Sequence, residues 1–67
     1  MYGNKLLEIM EEKEMTYRQL SKLSGITIGS LYKIANKISD PKQSTMINIA
    51  RALKMPVSNI FDLNWKK

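Results

Sequence analysis

The side chains equipped for chemistry in this chain are cations. Arg18, Lys22, Lys33, Lys37, Lys42, Arg51 and Lys54 fall within residues 16–54, with Asp40 the one acid among them. That stretch carries a net charge of +6. Residues 1–15 carry −2, because Glu8, Glu11, Glu12 and Glu14 outnumber Lys5 and Lys13. A basic middle behind an acidic start suits one face that binds a polyanion. Other chemistry is closed off by what is missing. With no histidine and no cysteine, a zinc enzyme, a histidine-based triad, a disulfide and a thiolate metal site are all excluded. Glu11, Glu12 and Asp40 fall at surface positions with no pocket evident, so no enzyme, cofactor or metal is expected.

The chain has 67 residues, a mass of 7.7 kDa and a net charge of +5. One domain over residues 1–67 is expected, with a core at about 4–61 and a short tail at 62–67. A chain of this size buries only about 60% of its surface on folding, which leaves little room for a deep substrate pocket. Its apolar runs reach two or three residues, so no membrane span is expected. The first residues lack the apolar core of a signal peptide. Both observations predict a cytoplasmic protein.

The elements that must carry the cations read as helices. Five are predicted, near 5–13, 17–24, 28–36, 44–54 and 57–61, and no stretch alternates cleanly at period two over the length of a strand. Asn4 suits the cap of the first helix, with Leu6, Ile9, Met10 and Lys13 at helical spacing. Thr16 and Gln19 form a capping box for the second, and Met15 with Leu20 a hydrophobic staple. Gly25 offers that helix a left-handed stop. Thr27 caps the third helix, with Ile26 and Leu31 in the staple positions. The third helix buries Leu31, Ile34 and Ala35 and shows Gly29, Ser30, Lys33 and Lys37 on its other face. Asp40 or Ser44 is expected to cap the fourth, which carries Met46, Ile49, Ala50 and Leu53.

Two short helices around a glycine turn have the spacing of a helix-turn-helix. Ser21 is small where the helices cross, and Gly25 takes a positive φ. Ile26, Leu31 and Ile34 set the crossing angle. The helix after the turn then projects outward, with its first half free to enter a major groove.

The run from Thr16 to Ile34, with Asn36, Pro41, the Ile49-Ala50-Arg51-Ala52-Leu53 segment and Ile60-Phe61, resembles the phage repressor and Cro family of Xre-type helix-turn-helix domains. The resemblance spans residues 4–61. It implies an all-α, five-helix repressor-like domain. It also implies that Thr27, Ile28, Gly29, Ser30 and Lys33 contact bases. By the same resemblance Tyr17, Arg18, Asn36, Lys37, Lys42 and Gln43 flank the reading helix and contact phosphates. This chain departs from the family in Met10 and Ala35, where an arginine and a glutamate commonly form an ion pair. Replacing both partners is often neutral, whereas losing one strands a charge. Glu14 and Lys37 stand where the family favours glycine, and Tyr17 where it favours glutamine.

The expected function is a sequence-specific transcriptional regulator, a repressor binding double-stranded DNA, with no small-molecule ligand. The alternative is a protein-interaction module on the same fold, an antitoxin or adaptor. Ile28, Gly29 and Tyr32 favour that alternative, because they make the reading face less polar. A homodimer on a palindromic operator is expected, because one reading helix covers few base pairs. With no separate dimerisation domain expected, Tyr2, Val57, Ile60, Phe61, Leu63 and Trp65 are the interface candidates; the alternatives are that Phe61 is wholly core, as the resemblance implies, and that the tail folds back over the first helix. Alternation of Phe61, Leu63 and Trp65 permits a strand pairing across the two-fold.

Overall fold

The computed structural model describes residues 3–62. The element order is β1 (Gly3–Asn4), α1 (Leu6–Glu12), α2 (Tyr17–Ser24), α3 (Ile28–Ala35), α4 (Gln43–Leu53), α5 (Val57–Ile60) and β2 (Phe61–Asp62). The five helices lie within a residue or two of their expected positions.

The helix starts divide by how they are capped. The Thr16 side chain accepts from the Gln19 N–H at 3.1 Å, and the Gln19 side chain accepts from the Thr16 N–H at 2.9 Å. This reciprocal pair satisfies two N–H groups at the start of α2, whose one fully buried side chain is Leu20. The Thr27 hydroxyl accepts from the Ser30 N–H at 3.2 Å and opens α3 in the same manner. The other two expectations are corrected. Lys5, not Asn4, is the cap residue of α1, although the Asn4 side chain still accepts from the Leu6 N–H at 3.2 Å. Lys42, not Asp40 or Ser44, precedes α4, and no side chain caps that helix. The buried Pro41 ends the loop, which moves the helix start to Gln43.

Three helices end in the same closure. Glu14, Lys37 and Lys54 hold φ of 53°, 61° and 57°. Behind each, the next N–H reaches back five residues: Met15 to the Met10 carbonyl, Ile38 to Lys33, and Met55 to Ala50, at 2.9, 2.8 and 3.0 Å. The N–H groups of Glu14, Lys37 and Lys54 themselves donate three residues back, to Glu11, Ile34 and Arg51, each at 3.1 Å. These are Schellman closures, which satisfy the last carbonyls of a helix. Glycine is the usual residue at the left-handed position, and another residue there costs about 1 kcal/mol. Met15 and Met55 offset part of that cost by packing on the core. The second helix ends on Gly25 at φ 76°, whose N–H donates to the Ser21 carbonyl at 2.9 Å.

The core gathers Leu6, Ile9 and Met10 of α1, Leu20 of α2, Leu31, Ile34 and Ala35 of α3, and Met46, Ile49, Ala50 and Leu53 of α4. Ile60 and Phe61 complete it. α2 packs on both α3 and α4. Met10 and Ala35 are both buried, and no polar or charged side chain is buried among the described residues. The core is therefore wholly apolar at the two positions where the resembled family places charges.

A two-residue ladder was not expected. β1 pairs antiparallel with β2, Gly3 opposite Asp62 and Asn4 opposite Phe61. The Lys5 N–H extends it to the Ile60 carbonyl at 2.8 Å. Phe61 thus leaves α5 and pairs within its own chain rather than across a two-fold. Ile60 and Phe61 are each 1% exposed, so both leave the list of interface candidates as core residues. Val57 packs against that core but stays half-buried at the surface. Tyr2, Leu63 and Trp65 lie outside the described residues. Among the described residues no helix is long and apolar enough to cross a membrane.

Candidate nucleic-acid interface

The third helix turns one face inward and one outward. Leu31, Ile34 and Ala35 are buried, while Ile28, Gly29, Ser30, Tyr32 and Lys33 are exposed. Gly29 and Lys33 stand one turn apart on the outward side. Ile28 and Tyr32 lie along one edge of that face, 44% and 51% exposed, and Ser30 lies along the other. Thr27 sits at the start of the helix with its hydroxyl engaged. It accepts from the Ser30 N–H and donates to the Ser30 Oγ at 3.0 Å. Ser30 keeps its own proton to donate outward.

The turn around Gly25 is braced from α2. The Ser24 hydroxyl donates to the Leu20 carbonyl at 2.7 Å and accepts from the Ile26 N–H at 3.3 Å. This short-range bonding fixes where α3 starts. A second brace comes from the opposite end of the fold. The Asn4 side-chain amide donates to the Ile34 carbonyl at 3.2 Å and ties the N-terminal strand to the last turn of α3.

Two groups of candidate contacts form around this helix. On one side Tyr17, the first residue of α2, meets the end of α3. The Tyr17 and Tyr32 rings stand edge to face, with centroids 6.0 Å apart and planes at 62°. Asn36 donates from Nδ2 to the Tyr32 carbonyl at 2.8 Å and to the Tyr17 hydroxyl at 3.4 Å. Lys37 follows directly in the left-handed conformation. On the other side an open cleft lies between α3 and the loop to α4. Ser30, Lys33, Ser39, Asp40, Lys42 and Thr45 supply its polar lining. The Ile38 and Ser39 N–H groups, bonded to the Lys33 carbonyl at 2.8 and 3.4 Å, fold the loop toward α3.

Arg18 and Gln43 are exposed and belong to neither group. Gln43 begins α4, where the first N–H groups have no side-chain cap. Such groups and the helix dipole favour an anion. Tyr32, Ser39 and Thr45 were not among the predicted contacts. Exposure of an aromatic at the margin of α3 was the available signal for Tyr32. Ser39 and Thr45 join the cleft only through the path of the loop.

A helix-turn-helix family model matches residues 6–60. Over 60 residues the chain is 35% identical to the uncharacterized HTH-type transcriptional regulator RghRB of Bacillus subtilis. It is 33% identical over 60 residues to the HTH-type transcriptional repressor RghR of the same organism. These alignments cover 88% of this chain but 43% and 44% of the relatives. The chain therefore spans less than half the length of the curated relatives it matches. The family match runs from the first residue of α1 to the last of α5, with the Gly25 turn and the outward face of α3 inside it. The chain belongs to the Xre/Cro-type helix-turn-helix family.

Proposed function

We propose that this chain is a sequence-specific DNA-binding transcriptional regulator, a repressor that occupies a palindromic operator as a homodimer. The observation that carries the reading is the outward face of α3, with Lys33 at its centre and cations flanking it. In this reading Lys33 donates to guanine O6 and N7, and Ser30 bonds a base or a phosphate. Tyr17, Arg18, Asn36, Lys37, Lys42 and Gln43 hold the phosphate backbone on either side. Membership of the family and the names of the two relatives support regulation, and the name of one supports repression. The homodimer is supported by the small reach of one reading helix, which covers too few base pairs to find one site in a genome.

The test is enrichment of random duplexes by the purified 67-residue chain, followed by mobility shifts against competitor DNA at low and moderate salt. One sequence, with two half-sites related by a two-fold about 34 Å apart, should survive competition. Enrichment of no sequence would remove the proposal. A second reading, a protein-interaction module, is favoured by the exposed apolar side chains Ile28 and Tyr32. It predicts no enriched duplex and a protein partner whose binding is lost on Tyr32→Ala.

A further inference from the structure

A groove runs over the junction of α1 and α2, lined mainly by hydrocarbon. Leu7, Met10, Met15 and Tyr17 form its first half. Leu7 is 42% exposed. The closure of α1, with the Met15 N–H on the Met10 carbonyl at 2.9 Å, brings the two methionines into one lining. The second half shares Glu14 and Met15 with the first and adds Leu23, which is 61% exposed. Met10 and Tyr17 stand where the family favours arginine and glutamine, so this apolar lining departs from the family pattern.

Charge changes sign along the groove. Glu11 and Glu14 edge the first half, and among the described residues no cation lines it. Lys13 and Lys22 edge the second half. On a chain of net charge +5 the acidic end is a local exception. An acidic rim repels nucleic acid and an anionic membrane surface alike, and attracts a cationic ligand. Methionines adapt to the side chains of an inserted helix. An amphipathic helix is gripped in such a groove through apolar anchors at i, i+3 or i+4, and i+7. The order of the charges sets its direction. Its positive N-terminal end faces Glu11 and Glu14, and its negative C-terminal end faces Lys13 and Lys22.

We propose that the groove between α1 and α2 docks an amphipathic helix of a partner protein, basic over its first half, with that half against Glu11 and Glu14. The site stands whether or not α3 reads DNA.

The test offers the 67-residue chain a displayed library of helices about fourteen residues long, apolar at the anchor positions and random elsewhere. The overall field of the chain favours acidic ligands, so enrichment of helices with Lys or Arg in their first half is the informative result. The enriched helix, made as a peptide, should shift the amide resonances of Leu7, Met15 and Leu23 and leave those of Gly29 and Lys33 in place. Leu7→Asp should weaken the peptide about tenfold or more, because it puts a charge in the contact. Glu11→Lys with Glu14→Lys should do the same, and replacing the cations of the peptide by glutamate should restore binding to that variant. Lysine already holds the left-handed conformation at Lys37 and Lys54, and a melt of each variant separates lost docking from lost folding. Enrichment of no basic helix, or a peptide that binds the charge-reversed chain as it binds the parent, overturns the docking site. So does self-association of the chain that Leu7→Asp abolishes, which gives the groove to a second copy. A nuclear Overhauser contact between Trp65 and Leu7 in the free chain overturns it in favour of the chain's own tail.

Discussion

The Asn36 side-chain amide donates to the Tyr17 hydroxyl at 3.4 Å and joins the end of α3 to the start of α2 across nineteen positions of sequence. Both residues are proposed phosphate contacts, and the bond sets them side by side. Because it is long and exposed, it contributes little to stability. Tyr17→Phe should change the unfolding free energy by no more than about 0.5 kcal/mol. The same substitution should weaken every duplex to the same degree, since a phosphate contact reads no sequence. Titrations against the operator and against an unrelated duplex measure both effects, and a loss confined to the operator would contradict a phosphate role.

Lys33 and Arg18 should differ in kind. Lys33→Ala is expected to cost about 1–3 kcal/mol on the operator and to relax preference at one base pair. Arg18→Ala and Lys42→Ala should weaken all duplexes alike and lower the salt slope by about one unit each. Binding isotherms at several salt concentrations distinguish the two patterns. Equal losses of operator and competitor affinity for Lys33→Ala would place that lysine on the backbone instead.

The left-handed residues at helix ends offer gains in stability. Lys54→Gly and Glu14→Gly relieve a positive φ at exposed positions. Each should stabilise the fold by up to about 1 kcal/mol, the relief being partly offset by the larger entropy of an unfolded glycine. For a domain of this size that is a rise of roughly 4–8 °C per kcal/mol in Tm. Lys37→Gly should gain similarly in a melt yet bind all DNA less well, because it also removes a cation. Melting temperatures unchanged in all three would mean that the closures relieve the strain completely.

Met10 and Ala35 predict a coupled pair. Met10→Arg alone places a charge in the apolar core and should cost several kcal/mol. Adding Ala35→Glu should recover part of that loss. A double-mutant cycle by denaturant unfolding reads the coupling directly. Strictly additive losses would show that the two positions do not face each other.

Much of this protein is legible from neighbours a few residues apart. Thr16 with Gln19, Thr27 with Ser30, and the Gly25 turn are bonds that close within four positions, so residue type and spacing determine them wherever the chain goes. The burial of Leu31, Ile34 and Ala35 follows from helical phase alone, and with it the outward face holding Gly29 and Lys33. Ile60 and Phe61 show where that logic stops. Their apolar character was evident, but whether it served a core or a partner depended on where α5 docks. β1 and β2 carry no alternating pattern, being two residues each, and pair because the fold brings Gly3 and Asn4 beside Asp62 and Phe61. The left-handed turn at Lys54 carried no glycine to mark it. It arises because the core holds Met55 and Ala50 and the backbone must close between them. Asn4 reaching the Ile34 carbonyl, Asn36 reaching Tyr17, and Lys42 sharing a cleft with Lys33 are likewise meetings of distant residues. Local hydrogen bonds and helical phase are properties of the sequence, whereas these contacts became available only after the core had fixed the helices relative to one another.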